Sequence, residues 1–382
     1  MRIGLLAPSR RHEDSFLQTS EALFRASGDN LGNFAFVEAL WRHLQPDVAI
    51  LPWHVPVHQA RESCDMLVLA AANQLGPHHD LGGFAAHLEA IGLPIVVVGL
   101  GAQAPNMAAG VQLSPGVERW ARVLGALAPG PKPNIGVRGA FTRRVLEKLG
   151  LGDRAVITGC PSNFLNDRAD FYTALKRNFE RRRIDRLCVA AGNPHFVGTR
   201  ELERRLVSLV EATGGLYVTQ ADLDMVRFAR GESSRSPPAK AEAIRQFLMP
   251  ERTAAELQLF RQRHAAAFID ATSWLEAMRA FDFVVGARFH GVMLGMQACA
   301  PGGVVAHDSR TLEMCQTMGV PVRLLSDIPA DFGLADLHEM FPLDAAAFGA
   351  TRERLRRVYV ELLRGCGIEP HARLTTLQAL PA

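Results

Sequence analysis

FDFVVGARFHGVMLG, residues 281–295, begins as an apolar run of strand length, breaks at Gly-Ala-Arg-Phe-His-Gly, and resumes as a second apolar run. A buried strand needs no Arg at its end and a helix needs no His at its start, so Arg288 and His290 call for a chemical reason. The pattern reads as strand, turn and helix N-terminus, where free N–H groups attract anions. Other apolar runs alternate with segments of helical period: DMLVLAAA (65–72), LPIVVVGLGAQ (93–103), RAVITGCP (154–161), RLCVAAGN (186–193) and GLYVTQAD (215–222). That alternation predicts parallel sheets covered by helices on both faces, an α/β fold. FTRRVLEKLG (141–150) reads as one covering helix, stopped by Gly150.

The series runs twice. A chain of 382 residues, 48% hydrophobic, exceeds the size at which one core stops growing, so two domains are expected. The expected division is an N-terminal Rossmann-like domain over 1–166, a polar and basic linker over 167–185, a C-terminal Rossmann-like domain over 186–345, and a helix with a tail over 346–382. Residues 229–243, rich in Ser, Pro and Gly, read as a surface insertion and a mobile lid.

Charge and cysteine content exclude several classes. A net charge of +3 on 42 basic and 39 acidic residues, with no basic block interleaved with aromatics, argues against a nucleic-acid partner. Six scattered cysteines without a C-x-x-C pair indicate neither a zinc site nor a disulfide framework. The N-terminus is too poor in apolar residues for a signal peptide, and no stretch reaches membrane-spanning length. A cytoplasmic protein is expected. The run KRNFERRRIDR (176–186) could hold it at the inner face of the membrane, although a solvated basic face explains the same residues. His54 and His58 flank Pro56, which opposes the helix that would align them on a metal, and no metal is expected.

In open α/β sheets ligands bind beyond the carboxyl ends of the strands. Five polar clusters fall there: Asn30 to Asn33, Asn73 with Gln74, Arg138, Asn193 to His195, and Arg288 with His290. Gly-rich strand ends and Asn–Gly turns also occur without any ligand. Arg288 offers a planar fork for phosphate or carboxylate, and His290 can move a proton near neutral pH. Arg138 sits in the same way between a short strand and a helix. Two arginines and a histidine describe a site for a small polyanion with acid chemistry, without naming the reaction. Arg138 and Arg288 should meet across the two domains.

NIGVRGAFTRRVLEKLGL (134–151), VITGCPSNFL (156–165) and VVGARFHGVMLGMQACAPGGVVAHDSRTLEMCQTMGVP (284–321) resemble, in that order, the polysaccharide pyruvyl transferase family, as does the opening GDNLGNFAFVEALW (28–41). The resemblance spans roughly residues 28–325. It implies two Rossmann-like domains facing a cleft, similar to B-type glycosyltransferases. It also implies a reaction: the enolpyruvyl group of phosphoenolpyruvate passes to two hydroxyls of a sugar in a glycan, giving a pyruvate ketal and phosphate. Phosphoenolpyruvate is then a co-substrate and no further cofactor is implied. The acceptor is a sugar or glycan, free or lipid-linked. Carried onto matching positions, Arg138 and Arg288 hold phosphate and carboxylate, Phe289 shapes the turn, His290 is the acid or a phosphate ligand, and Arg310 adds a cation.

Three positions depart from the family pattern. Asn33, Gly139 and Cys160 stand where acidic residues are frequent, which points to a different acceptor or to reduced activity. His307 and Asp308 are weighed as a substitute acid/base pair. Two alternatives remain open at this level: a nucleotide-sugar glycosyltransferase of the same fold, and a glycan-binding paralogue without catalysis.

Overall fold

The computed structural model describes residues 1–44 and 47–376; the last residues of the expected tail, 377–382, lie outside them. Two six-stranded sheets form, and every strand pair in both is parallel. The first contains β1 (Ile3–Leu6), β2 (Ala49–Leu51), β3 (Met66–Ala70), β4 (Ile95–Leu100), β5 (Ile135–Val137) and β6 (Ala155–Ile157), in the order 2-1-3-4-5-6. The second contains β7 (Leu187–Ala190), β8 (Leu216–Val218), β9 (Ala265–Ala266), β10 (Phe283–Gly286), β11 (Gly302–Ala306) and β12 (Val322–Leu324), in the order 12-11-10-7-8-9. Strand order therefore reverses between β1 and β3 in one sheet and between β7 and β10 in the other. Crevices open at such switch points, and Asn73 and Arg288 follow two of the four strands concerned.

The central strands are buried on both faces, which is why they read as unbroken apolar runs. Gly286 ends β10 with φ +156°, and a Cβ there would collide with the backbone of Ala190 on β7. Only glycine lets the two strands approach at that point. The helix that follows, Phe289–Gln297, is apolar all round because every one of its residues is buried. One hydrophobic core unites residues of both domains, including Leu5, Phe36, Val68, Val284 and Val292, while two further cores lie on the outer face of each sheet. Truncating Leu294 in this shared core would cost about 2–5 kcal/mol.

Two segments differ from their sequence reading. The basic stretch 167–185 contains a helix, Phe171–Glu180, which buries Phe171, Ala174, Leu175 and Phe179 on one face. Arg352, from the long C-terminal helix Ala345–Gly365, lies 4.8 Å over the Phe171 ring and donates to the carbonyl of Asn163 at 2.6 Å. The C-terminal helix thus crosses back onto the first domain. The expected lid, 229–243, is largely exposed but is hydrogen-bonded to its surroundings. Ser236 Oγ donates to Asp224 at 2.6 Å, Arg230 donates to Ser20 Oγ at 3.1 Å, and Glu232 accepts the Ser20 N–H, tying the segment to the first domain. Residues 238–248 of this region form a helix started by Pro238.

Candidate active site

A cavity of about 840 Å³ lies between the domains. Asn30, Asn33, Asn73 and Gln74 reach it from the first domain, and Asn193, Asp222, Arg288 and Arg310 from the second. At its floor is a small recess lined by Arg138, Arg288, Arg310, Phe289 and His290. Arg138 and Arg288, from different domains, share this one recess. The floor is built by strand ends: Arg138 follows β5, and Arg288 is the N-cap of the helix Phe289–Gln297, which no side chain caps. Arg310 sits in the first turn of the helix Ser309–Met318, capped by Asp308, whose Oδ1 accepts the Thr311 N–H at 2.8 Å.

The electrostatics are unbalanced in favour of positive charge. Arg138 is 2% exposed, and its Nε and one terminal nitrogen have no hydrogen-bond partner among the described residues. The Nε atoms of Arg288 and Arg310 are likewise buried without a partner. Burial, then Arg310, push the Arg288 guanidinium down to about 10. Burial also lowers Arg138, with Arg310 adding to the effect and Cys160 and Glu313 opposing it. Burial opposes ionisation of Asp308, but Arg310, His307 and the Thr311 N–H together hold its carboxyl below the usual range. Asp308 is spoken for: its Oδ2 lies 3.3 Å from Arg310 and accepts from Gln103 at 3.4 Å. Orphaned buried donors carry a desolvation cost of about 1–3 kcal/mol each, more when charged, which a bound anion would relieve.

His290 behaves differently from its sequence reading. Burial, with Arg138 and Arg310 nearby, holds its imidazole well below the ordinary histidine range, so it is neutral rather than poised near pH 7. Its ring packs against Phe36 and Phe289, and Nε2 lies 3.5 Å from the Cys160 thiol, which also accepts from Ser162 Oγ. Cys160, one of the three departures, is therefore the partner of His290.

Gly139 has a separate explanation. A Cβ there would run into Glu313 and Thr317 of the other domain. Glu313 fills the role of a local acid: its carboxylate accepts both the N–H and the hydroxyl of Thr142 at 2.7 Å, satisfying the first turn of the helix Ala140–Lys148. Asn33 turns inward, donating to the carbonyls of Ser27 and Gly28 at 2.9 and 3.2 Å. Gln74 lines the cavity, but its Oε1 accepts the Ala72 N–H at 2.6 Å, which makes it part of the wall. His195 is not with the others: it faces an adjoining cavity of about 300 Å³ and pairs with Asp222 at 2.7 Å. His307 stacks on Phe196 with ring centroids 4.6 Å apart, away from the recess, while Asp308 is held by Arg310. The two do not form an acid/base pair.

Sequence reasoning missed Gln220, Glu203, Asp222, Glu313 and Trp53. Gln220 lines the recess, and its carbonyl accepts the Leu31 N–H across the domains at 2.8 Å. Glu203 is fully buried under the Gly192 turn, accepting from Gly192 N at 3.0 Å and from the Tyr217 hydroxyl, close enough to Arg288 to feel its charge. Burial pushes its carboxyl up to about 7. Trp53 stacks on Phe84 at 5.2 Å and forms a flat apolar wall of the large cavity.

Two Rossmann-like domains bring three arginines and a histidine together at one interdomain recess. The family model for polysaccharide pyruvyl transferase matches residues 30–309, and the chain belongs to that family. No curated protein sequence matches it. Among solved structures, MnaA of S. aureus with UDP is similar over 97% of this chain and 99% of its own, at 10% identity and a TM-score of 0.44. HepE of Anabaena in complex with UDP is similar over 94% and 100%, at 11% identity and a TM-score of 0.42. The UDP-N-acetylglucosamine 2-epimerase of Rickettsia bellii gives 95%, 98%, 10% and 0.42. Nothing about this chain's ligand follows from likeness at that level. No helix among the described residues is long and apolar enough to cross a membrane.

Proposed function

We propose that this chain transfers the enolpyruvyl unit of phosphoenolpyruvate onto two hydroxyls of a sugar in a glycan, forming a cyclic pyruvate ketal and releasing phosphate. The observation that carries the reading is the recess shared by Arg138, Arg288, Arg310 and His290, with unpartnered guanidinium donors facing a common space. Phosphoenolpyruvate bears up to three negative charges on a phosphate and a carboxylate, which three guanidiniums match in number and in planar geometry. A bound trianion also reverses the field at His290. Burial is the main cause of the low imidazole value and Arg138 and Arg310 add to it; a trianion offsets the two cations, which moves His290 toward taking up and delivering a proton.

The chemistry follows from that placement. The C2=C3 electron pair takes a proton from His290, making C3 a methyl group and leaving C2 cationic beside the donor carboxylate. A sugar hydroxyl adds to C2 and loses its proton. The second hydroxyl then bonds to C2 as the C2–O bond to phosphorus breaks, and the electron pair leaves with phosphate, which accepts the second proton. One hydroxyl proton thus balances the one gained by C3, and the other leaves as hydrogen phosphate. Trp53 and the walls around Pro8, Ile50 and Pro52 offer an apolar surface for the sugar ring at the far end of the cavity.

The test is phosphate release from phosphoenolpyruvate with a panel of methyl hexopyranosides, each offering 4,6- and 3,4-hydroxyl pairs, with mass detection of the ketal. Phosphate and ketal formed in equal amounts support the reading. Transfer from a nucleotide sugar instead of phosphoenolpyruvate contradicts it, as does glycan binding without phosphate release from any acceptor.

A further inference from the structure

The recess supplies cations and an acid but no base. Its carboxylate neighbours are committed: Asp308 to Arg310 and Thr311, Glu313 to Thr142, and Glu203 to Tyr217 and Gly192. Yet addition of a sugar hydroxyl to C2 requires some group to remove the hydroxyl proton. We propose that His195, oriented by Asp222, is that base, and that the acceptor glycan crosses the rim where these two residues separate the large cavity from its neighbour. The inference rests on the pyruvyl-transfer reading above.

Four observations place the pair. Asp222 Oδ2 lies 2.7 Å from His195 Nε2, and the Asp222 side chain is only 9% exposed while that of His195 is 61% exposed. A largely buried carboxylate that accepts Nε2–H fixes the tautomer and leaves the lone pair on Nδ1. No described residue hydrogen-bonds that Nδ1. Asp222 itself is immobilised: its Oδ1 caps the helix Leu223–Ala229 by accepting the Met225 N–H at 3.0 Å. Its backbone lies at φ +72°, a conformation that non-glycine residues adopt at a cost and that gathers at functional sites.

The third observation is topological. Asn193 to His195 follow β7, a strand at the switch point, and Asp222 follows β8 beside it. The side chain of Asn193 accepts the His195 N–H at 2.9 Å and so sets the turn that carries the ring. Fourth, Asp222 lines both cavities: the large one with Arg288, Arg310 and Asn193, and the smaller one with Pro194, His195, Arg200 and Lys240. A glycan longer than one sugar can lie across both while the residue to be ketalised faces the recess. Two other titratable side chains on the large cavity, Asp29 and His79, make no side-chain hydrogen bond among the described residues and have nothing to orient them.

The proton balance closes with this assignment. The first hydroxyl gives its proton to His195 Nδ1 as its oxygen bonds to C2, His290 gives one to C3, and solvent carries the proton of His195 back to His290 between turnovers.

The experiment compares full-length wild type with His195→Ala, Asp222→Asn and Asp29→Asn, using phosphoenolpyruvate and the methyl hexopyranosides. Asparagine at 222 keeps a capping oxygen and the shape of the aspartate side chain, so it removes the charge while leaving the helix start intact. His195→Ala should slow phosphate release roughly a hundredfold or more, with the KM for phosphoenolpyruvate and its thermal protection unchanged. Imidazole added to the buffer should restore part of that rate through the exposed rim, which a structural role for His195 would not allow. Asp222→Asn should lower kcat by roughly a hundredfold at an unchanged melting temperature. The assignment fails if His195→Ala turns over at the wild-type rate, if imidazole restores nothing, or if Asp29→Asn shows the loss instead. Wild type that releases no phosphate with any hexopyranoside removes the pyruvyl-transfer reading itself, and that result appears before any variant is measured.

Discussion

The floor and the rim of the interdomain cavity are built by opposite rules. At the floor, Arg138, Arg288 and His290 stand at the ends of buried strands and in first helical turns, locked between two sheets that share one hydrophobic core. At the rim, Asn193, His195, Asp222 and Trp53 belong to connecting turns, and their neighbours are settled by which loops meet. The floor is buried and cationic, which fits the proposed anionic donor. The rim is open and mixed in character, which fits the proposed glycan acceptor.

The comparison can be broken at the floor first. His290→Ala is expected to reduce phosphate release by roughly a hundredfold to ten-thousandfold, while phosphoenolpyruvate still raises the melting temperature. Stopped-flow phosphate detection beside thermal unfolding separates the two effects, and full turnover in folded protein would leave the turn as scaffolding. Arg288→Lys is expected to act on donor binding instead, raising the phosphoenolpyruvate KM by roughly tenfold to a hundredfold, because an ammonium keeps the charge and loses the paired N–H donors. Equal KM values for the two proteins would show that the fork holds nothing.

Glu203 sharpens the comparison from beneath. Its folded carboxyl stands at about 7 against an ordinary value of 4.5, so the folded state holds the proton more tightly than the unfolded chain does. The stability linked to this proton is fully present below the unfolded value and is lost as pH rises through about 7. Glu203→Gln cannot ionise. Its melting temperature is expected to fall less than that of wild type between pH 5 and pH 8, a difference of roughly 1–3 kcal/mol at the upper end. Parallel curves for the two proteins would mean that Glu203 titrates like an exposed carboxyl.

The same division explains what the sequence discloses. Strands buried on both faces leave continuous apolar runs, so β3, β4, β7 and β10 are visible at once, as is Arg288 just after β10. β1, β2, β9 and β12 are two to four residues long and escape notice beside Pro8, Pro52 and the polar turns. The helix Phe171–Glu180 carries its apolar positions at helical spacing, but the Lys and Arg on its other face disguise it as a linker. Residues 229–243 have the composition of a free loop and are held by Arg230, Glu232 and Ser236, whose partners lie elsewhere in the chain. Among the residues of the recess, Arg138, Arg288 and His290 are legible because they follow strands, and Arg310 only through the family resemblance. Gln220, Glu203, Asp222 and Glu313 are not. Each matters through a residue far away in sequence or in the other domain, and the glycine at 139 makes sense only once Glu313 is seen to occupy the space beside it.

The central claim is that the three-arginine recess is a phosphoenolpyruvate site, and thermal unfolding of the wild-type protein with phosphoenolpyruvate or with UDP tests it directly, since a ligand raises the transition only by binding the folded state. At a hundred times its dissociation constant a bound donor adds about 2.7 kcal/mol, a rise of a few degrees. The expected result is a concentration-dependent rise with phosphoenolpyruvate that Arg138→Ala and Arg288→Ala both abolish, and a smaller rise or none with UDP. Protection by UDP alone, or protection by phosphoenolpyruvate that survives loss of both arginines, would contradict the account.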